Sequence, residues 1–243
     1  MSAIGFSAKA EHRSRNRLLA HFTQADYERL RPQLKPINLP EQFVLYAAQH
    51  PIEFVYFPES GVASLVVSMK NGKTVEVGTI GNEGFVGLPI VFGESAGPIG
   101  AFMQVPGAGL RMPAAAFRHE IERSATLRAT LMHYAGTFFN QVAHSSACAL
   151  LHPLEQRCCR WLMSTADRMP SDQFALTQEF LAMMLGVRRS SVSAVMGELQ
   201  RKGFVRYSRG RVTLLDRKAL QASTCECYHL MKGEFDRLLG DDA

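Results

Sequence analysis

Seven cationic side chains fall between Gly186 and Arg211: Arg188, Arg189, Arg201, Lys202, Arg206, Arg209 and Arg211, against a single acid, Glu198. This stretch carries net +6, whereas the whole 243-residue chain carries +5, so the remainder is close to neutral. Cations gathered in this way hold phosphates, and arginine also pairs bidentately with guanine O6 and N7 in a DNA major groove. Small polar side chains stand among and just before them: Thr177, Gln178, Ser190, Ser191 and Ser193. The chemistry on offer is recognition of double-stranded DNA.

The elements that must position these groups are legible around them. Thr177 is a helix N-cap, because its hydroxyl can take up an orphan amide of the first turn. Phe180, Leu181, Met184 and Leu185 then share one helical face, and Gly186 ends the helix in the left-handed conformation. A second helix follows, with Val192, Val195, Met196 and Leu199 inward and Gly203 as its stop. Its outer face carries Arg189, Ser190, Ser193, Ala194 and Gly197, slim enough to enter a major groove. Phe204–Tyr207 and Arg211–Leu215 alternate as strands around Ser208-Arg209-Gly210. The pattern predicts a winged helix-turn-helix whose DNA contacts are Thr177, Gln178, Arg188, Arg189, Ser190, Ser191, Ser193, Arg201, Arg209 and Arg211. An ordinary helical hairpin with a solvated basic face is the plainer alternative, and the coincidence of turn glycine, reading face and basic wing weighs against it.

The run LTQEFLAMMLGVRRSSVSAVMGELQRKGFVRYSRGRVTLLD resembles the C-terminal DNA-binding domain of the Crp/Fnr transcription regulators, and the resemblance extends from Asn16 onward. It implies a β-roll related to cyclic-nucleotide-binding domains, a long helix through which two chains pair, and a regulator acting on RNA polymerase. In that family a glutamate usually follows the first arginine of the reading helix, with a second arginine three residues on. Ser190 and Ala194 stand there, so the family's usual half-site preference does not transfer.

Ile37 to Met112 supports the β-roll independently. Short apolar runs (Phe43–Tyr46, Phe54–Phe57, Ala63–Val67, Thr74–Val77) are separated by turn residues, and Asn71-Gly72 is a strong hairpin signal. The loop Gly81–Gly87 offers Gly81, Glu83, Gly84 and Gly87 as candidate effector contacts, through converging amides and a carboxylate that could accept from a ribose. Family members that bind cyclic nucleotides place an arginine downstream, but 93–101 holds no basic residue, and burying a phosphate without a countercharge is costly. The nearest cations in sequence are Lys73, Arg111 and Arg118. Glycines that merely turn strands are the simpler expectation, and the cofactor and effector stay unassigned.

Ala125 to Leu151 forms a long helix, which His152-Pro153 breaks. Leu131, Ala135, Phe138 and Val142 recur at alternate spacings of four and three, a coiled-coil seam and the expected dimer interface. An amphipathic helix lying on its own β-roll is the alternative. A helical pattern then continues from Arg217 to Leu239 and carries Cys225-Glu226-Cys227. Two such thiols could hold a metal or sense oxidation, but a zinc site needs four ligands and only His229 stands nearby, so no metal is assigned.

Five cysteines without a framework argue for a reducing cytoplasm, and no run approaches a membrane span. No nucleophile motif surrounds Cys148 or Cys158, so an enzyme is not expected. The expected architecture is α+β: a frayed start, N-terminal helices and a β-roll (double-stranded jelly roll) over residues 1–124, a dimerisation helix and hinge over 125–152, and a winged helix-turn-helix with a C-terminal helix over 153–243. Expected partners are double-stranded DNA, a second copy of the chain and RNA polymerase, with no membrane.

Overall fold

Asn16 and Thr23 each turn a side-chain oxygen onto the amide three residues on, and so begin α1 (Arg17–His21) and α2 (Gln24–Leu30). The computed structural model describes residues 14–240, so the expected frayed start lies almost wholly outside the described residues. Seven strands follow: β1 (Lys35–Leu39), β2 (Val44–Tyr46), β3 (Phe54–Pro58), β4 (Val62–Ser68), β5 (Thr74–Ile80), β6 (Gly100–Val105) and β7 (Gly107–Pro113). They make two antiparallel sheets, ordered β1-β7-β3 and β2-β6-β4-β5, which is the β-roll. Asn71-Gly72 turns β4 into β5, with Gly72 at φ +78° and Asn71 Oδ1 accepting from the Lys73 amide at 3.1 Å. Phe57, Phe85, Phe117 and Tyr134 fill the interior, with ring centroids 5.4 to 5.7 Å apart.

Beyond α3 (Ala114–Arg123), Ser124 caps the 27-residue α4 (Ala125–Leu151). His152, extended at ψ 144°, ends it ahead of Pro153. The C-terminal part comprises α5 (Leu154–Ala166), β8 (Gln173–Ala175), α6 (Gln178–Leu185), α7 (Arg189–Arg201), β9 (Val205–Ser208), β10 (Arg211–Leu214), α8 (Arg217–Ala222) and α9 (Cys227–Leu239). Here β8 adds an unexpected third strand to the hairpin, in the order β8-β10-β9. Its core gathers Cys158, Trp161 and Leu162 with Leu181, Val192, Met196, Leu199 and Val212, and extends to Val62 and Val105 of the β-roll. Phe180 meets Phe102 edge-on at 6.1 Å, so α6 rests on the four-stranded sheet. Among the described residues no helix is long and apolar enough to cross a membrane.

Three expectations change. The dimer seam expected at Leu131, Ala135, Phe138 and Val142 is a face turned inward: the first three are 0%, 7% and 5% exposed. A Cβ on Gly78 of β5 would meet Phe138 at 2.8 Å and Val142 at 3.4 Å, so this stripe lies on the chain's own sheet. One residue further on, a second stripe with the same spacing faces solvent: Met132 (48% exposed), Gly136, Phe139 (70%), Ala143, Ser146 and Leu150 (85%). The stripe that offers more continuous apolar volume covers the sheet, as burial energetics require.

The continuous helix expected over 217–239 is two helices, interrupted at the cysteines. And α9, expected with the DNA-binding part, packs on α4 and delivers Phe235, Leu238 and Leu239 to the β-roll core. Arg17 of α1 pairs with Asp236 of α9 at 2.9 Å.

Candidate functional site

The reading face is assembled as its residue types demand. Thr177 Oγ1 accepts from the Phe180 amide at 3.1 Å and starts α6. Gly186, at φ +66°, closes α6 and its amide reaches back to Ala182 O and Met183 O. Arg188 is the N-cap residue of α7 and Arg189 its first helical residue; both are exposed, as is Ser190. Ser191 and Ser193 are half-buried, and Ser193 Oγ donates to Gln178 Oε1 at 2.5 Å, fixing the angle between the two helices. Gln178 and Ser193 therefore brace the motif from inside.

The wing is a two-residue hairpin. Ser208 faces Arg211 across it, while Arg209 (φ +49°) and Gly210 (φ +71°) both take positive φ. Arg209 and Arg211 are exposed at the tip, and Thr177 lies 3.9 Å from where a Cβ on Gly210 would stand. Wing and helix start thus share one surface. Arg188, Arg189, Arg206, Arg209 and Arg211 form no salt bridge with any described residue. Arg201 sits at the opposite end of α7, about 18 Å along the axis from Arg189, and pairs with Glu198. It lies away from the exposed Arg188–Arg189 end. Lys202 is likewise paired, with Glu155 at 2.7 Å.

The Gly81–Gly87 loop is built to a different plan. Glu83, 5% exposed, accepts from the Gly81 amide at 3.1 Å and from Arg168 Nη2 and Nε at 2.5 and 3.1 Å. Arg168 comes from the turn after α5, and its Nη1 also donates to Thr79 Oγ1 at 2.7 Å. The loop's countercharge is therefore Arg168, 85 residues away in sequence. The nearer cations are placed elsewhere: Arg111 lies over the Phe54 ring at 4.5 Å, Arg118 donates to Glu94 O at 3.2 Å, and Lys73 is exposed on the β4–β5 turn. A Cβ on Gly81 would strike Arg168 at 2.4 Å, one on Gly84 the Tyr134 hydroxyl at 2.0 Å, and one on Gly87 Val55 at 2.7 Å. These glycines are required by the protein's own side chains. As effector contacts, Gly81, Glu83, Gly84 and Gly87 are corrected to a closed internal junction.

An open space does exist nearby. A cavity of about 360 Å³ lies between β5, α4, α5 and α6, lined among others by Glu76, Ser145, Arg157, Arg160 and Trp161. Arg160 Nε is buried with no hydrogen-bond partner. Burial pushes the Glu76 carboxyl up to about 7, against the Ser64 hydroxyl and the charges of Arg160 and Arg168, which pull it down. The sequence held no local signal for this cavity, since its walls come from four separate elements.

Cys225 and Cys227 have other neighbours than expected. His229 is exposed, its ring against Tyr228, while Cys148 and His152 from the end of α4 complete a group of four. Burial opposes ionisation of Cys148, but Arg160 and hydrogen bonds with His152, Cys225 and Cys227 outweigh it and hold its pKa below the usual thiol value. Burial pushes Cys227 up to about 12 and raises Cys225 as well.

Comparison with known proteins falls on the same two units. Residues 36–124 match the cyclic nucleotide-binding domain, and residues 156–223 match the Crp-like helix-turn-helix domain. No curated protein matches the chain. Among solved structures, a protein assigned to the Crp/Fnr family from Eubacterium rectale superposes with TM-score 0.64 at 16% identity, covering 83% of this chain and 94% of its own. A CRP-family transcriptional regulator from Thermus thermophilus gives 0.63 at 20% identity, covering 78% and 95%. The c-di-GMP responsive global regulator CLP of Xanthomonas campestris gives 0.59 at 16%, covering 80% and 100%.

Proposed function

A chain that joins a cyclic nucleotide-binding domain to a Crp-like helix-turn-helix domain is a Crp/Fnr-type DNA-binding transcription regulator, and from that premise we propose that it works as a homodimer on a pseudo-palindromic operator, reading bases with the N-terminal end of α7 and holding phosphates with its wing. The observation that carries this is a set of exposed arginines, Arg188 and Arg189 at the start of α7 and Arg209 and Arg211 at the wing that abuts Thr177, none in a salt bridge with a described residue. The dimer partner is a second copy docking along Met132, Gly136, Phe139, Ala143, Ser146 and Leu150. Large residues set among small ones at four-and-three spacing let two such helices interdigitate, and a two-fold dimer on such an operator sets its two reading helices about one DNA turn, or 34 Å, apart. RNA polymerase is a further partner of a regulator of this type.

The test is Phe139→Glu, which buries a charge against its twin. It should give a monomer by sedimentation and a loss of operator affinity of at least about tenfold, since the two half-sites no longer act together. A dimer that survives Phe139→Glu would place the seam away from this outer stripe.

The effector, in this reading, is a small anion other than an orthodox cyclic nucleotide, and it enters the cavity beside Arg157 and Arg160. Glu83 is already held by Arg168, and 93–101 supplies no cation. Calorimetry with cAMP or cGMP should show no saturable heat and no change in DNA affinity. A micromolar dissociation constant for either would mean that Arg168 releases Glu83 and turns to the phosphate.

A further inference from the structure

Four potential metal ligands converge where the two halves of the molecule meet. Cys148 and His152 lie one helical turn apart at the end of α4. Cys225 closes the α8–α9 turn, and Cys227 is the first residue of α9. One ligand atom from each lies within 4.8 Å of every other. Cys148 Sγ stands 3.5 Å from Cys225 Sγ, and Cys227 Sγ stands 3.7 Å from His152 Nδ1. Three of the residues are buried and the histidine is half-buried.

The 3.5 and 3.7 Å separations match edges of one coordination tetrahedron, and the rest, none above 4.8 Å, need the ligands to draw in by about 1 Å at most. With Zn–S near 2.3 Å and Zn–N near 2.0 Å, adjacent ligands sit roughly 3.5 to 3.8 Å apart. An iron–sulfur cluster, which places bridging sulfides and several irons between its thiolates, needs a wider opening. The histidine is also set up for the role. Its other ring nitrogen, Nε2, lies 3.1 Å from Glu226 Oε1. A proton held there by the carboxylate leaves the Nδ1 lone pair facing the thiols, which is the outer-shell arrangement of histidine–zinc sites. Arg160 supplies the remaining charge, since its guanidinium acts electrostatically on both Cys148 and Cys225.

We propose that Cys148, His152, Cys225 and Cys227 bind one zinc ion in a closed, structural site of three thiolates and one imidazole. All four residues lie outside the segments 36–124 and 156–223 that match the two domain families, or, for Cys225 and Cys227, just beyond the second of them, so the site is an addition to the shared architecture. Binding converts three thiols to thiolates and releases their three protons to solvent. The ion with its three thiolates and neutral imidazole then carries a single net negative charge, which Arg160 offsets. With every position filled by protein, the ion has no vacancy for a substrate. Its work is mechanical: it ties the end of α4 to the turn that leads out of the DNA-binding part, on the far side of the Pro153 hinge.

The full chain, purified in zinc-containing buffer and freed of excess metal by gel filtration, is the material for the test. Elemental analysis should find about one zinc per chain. Replacement by Co²⁺ should give the visible bands of tetrahedral cobalt with a thiolate charge-transfer band. Cys227→Ser and His152→Ala should lose the metal, while His152→Cys retains it on four thiolates and Cys159→Ala, outside the site, leaves it unchanged. Acidification should weaken binding, because protons compete for three thiolates and an imidazole. If a variant fails to fold, the cobalt spectrum of the unaltered chain decides alone. No metal at equimolar zinc and no tetrahedral cobalt spectrum would overturn the proposal. So would full metal retention in both Cys227→Ser and His152→Ala, or a Cys148–Cys225 disulfide in the chain purified under reducing conditions.

Discussion

The loop at Gly81–Gly87 and the face around Arg189 draw attention in the sequence for related reasons, namely glycines or cations clustered near groups that bind phosphate. In the structure they are opposites. The loop's polar groups find partners inside the chain: Glu83 holds Arg168 and the Gly81 amide, and Asn16 Nδ2 donates to Gly84 O at 2.7 Å. On the reading face, Arg188, Arg189, Arg209 and Arg211 are exposed and pair with no described residue. The difference is one of dielectric. A guanidinium in water loses little by waiting for a phosphate, whereas a buried carboxylate must be matched before the chain can fold. Satisfied charge marks a junction, and unsatisfied exposed charge marks a contact surface.

The sharpest way to break this comparison is at the junction. The side chains of Arg168 and Glu83 are 10% and 7% exposed, so Arg168→Ala leaves a buried carboxylate without its countercharge. The expected cost is about 3–5 kcal/mol in urea unfolding, and Arg168→Met with Glu83→Met together should recover most of it. A single-variant cost below about 1 kcal/mol would show the loop to be open and the pair incidental. On the exposed side, Arg189→Ala should leave the unfolding midpoint unchanged. It should cost roughly 1–3 kcal/mol of affinity per half-site and relax preference at one base position. Equal weakening on all sequences would demote Arg189 to a phosphate contact. The smallest effect belongs to the wing. Arg211→Ala should weaken specific and random duplexes alike, lowering the log–log salt slope by about 0.9 for each phosphate that is no longer neutralised. A weakening confined to the operator would make the wing a reader of sequence.

What the sequence revealed of this contrast was local. Thr177, Gly186, Gly203 and Gly210 announce their own caps and turns within a few residues, and Asn71-Gly72 announces its hairpin, so the winged helix and the β-roll were legible. The long-range choices were not. Leu131-Ala135-Phe138-Val142 and Met132-Gly136-Phe139-Ala143 differ by one residue and satisfy the same period; only the position of β5 decides which is inside. Arg168 reaches Glu83, and Cys148 reaches Cys225 across 77 residues, through folds of the chain that no spacing rule encodes. Periodicity shows that a helix has a buried side, and tertiary packing shows which.

The placement of α9 has a consequence for how the protein is made. Arg17 and Asp236 are separated by 219 residues, and Phe235 belongs to the same core as Leu18 and Phe57. During synthesis an N-terminal domain ordinarily closes while later residues are still emerging. Here the β-roll emerges without the α9 side chains that complete its core, and cannot receive them until α9 has followed. The nascent chain therefore exposes part of the β-roll core until α9 emerges, and the winged helix, whose contacts are mostly local, can settle first. A stop codon anywhere ahead of α9 would strand the half of the protein that was made earliest.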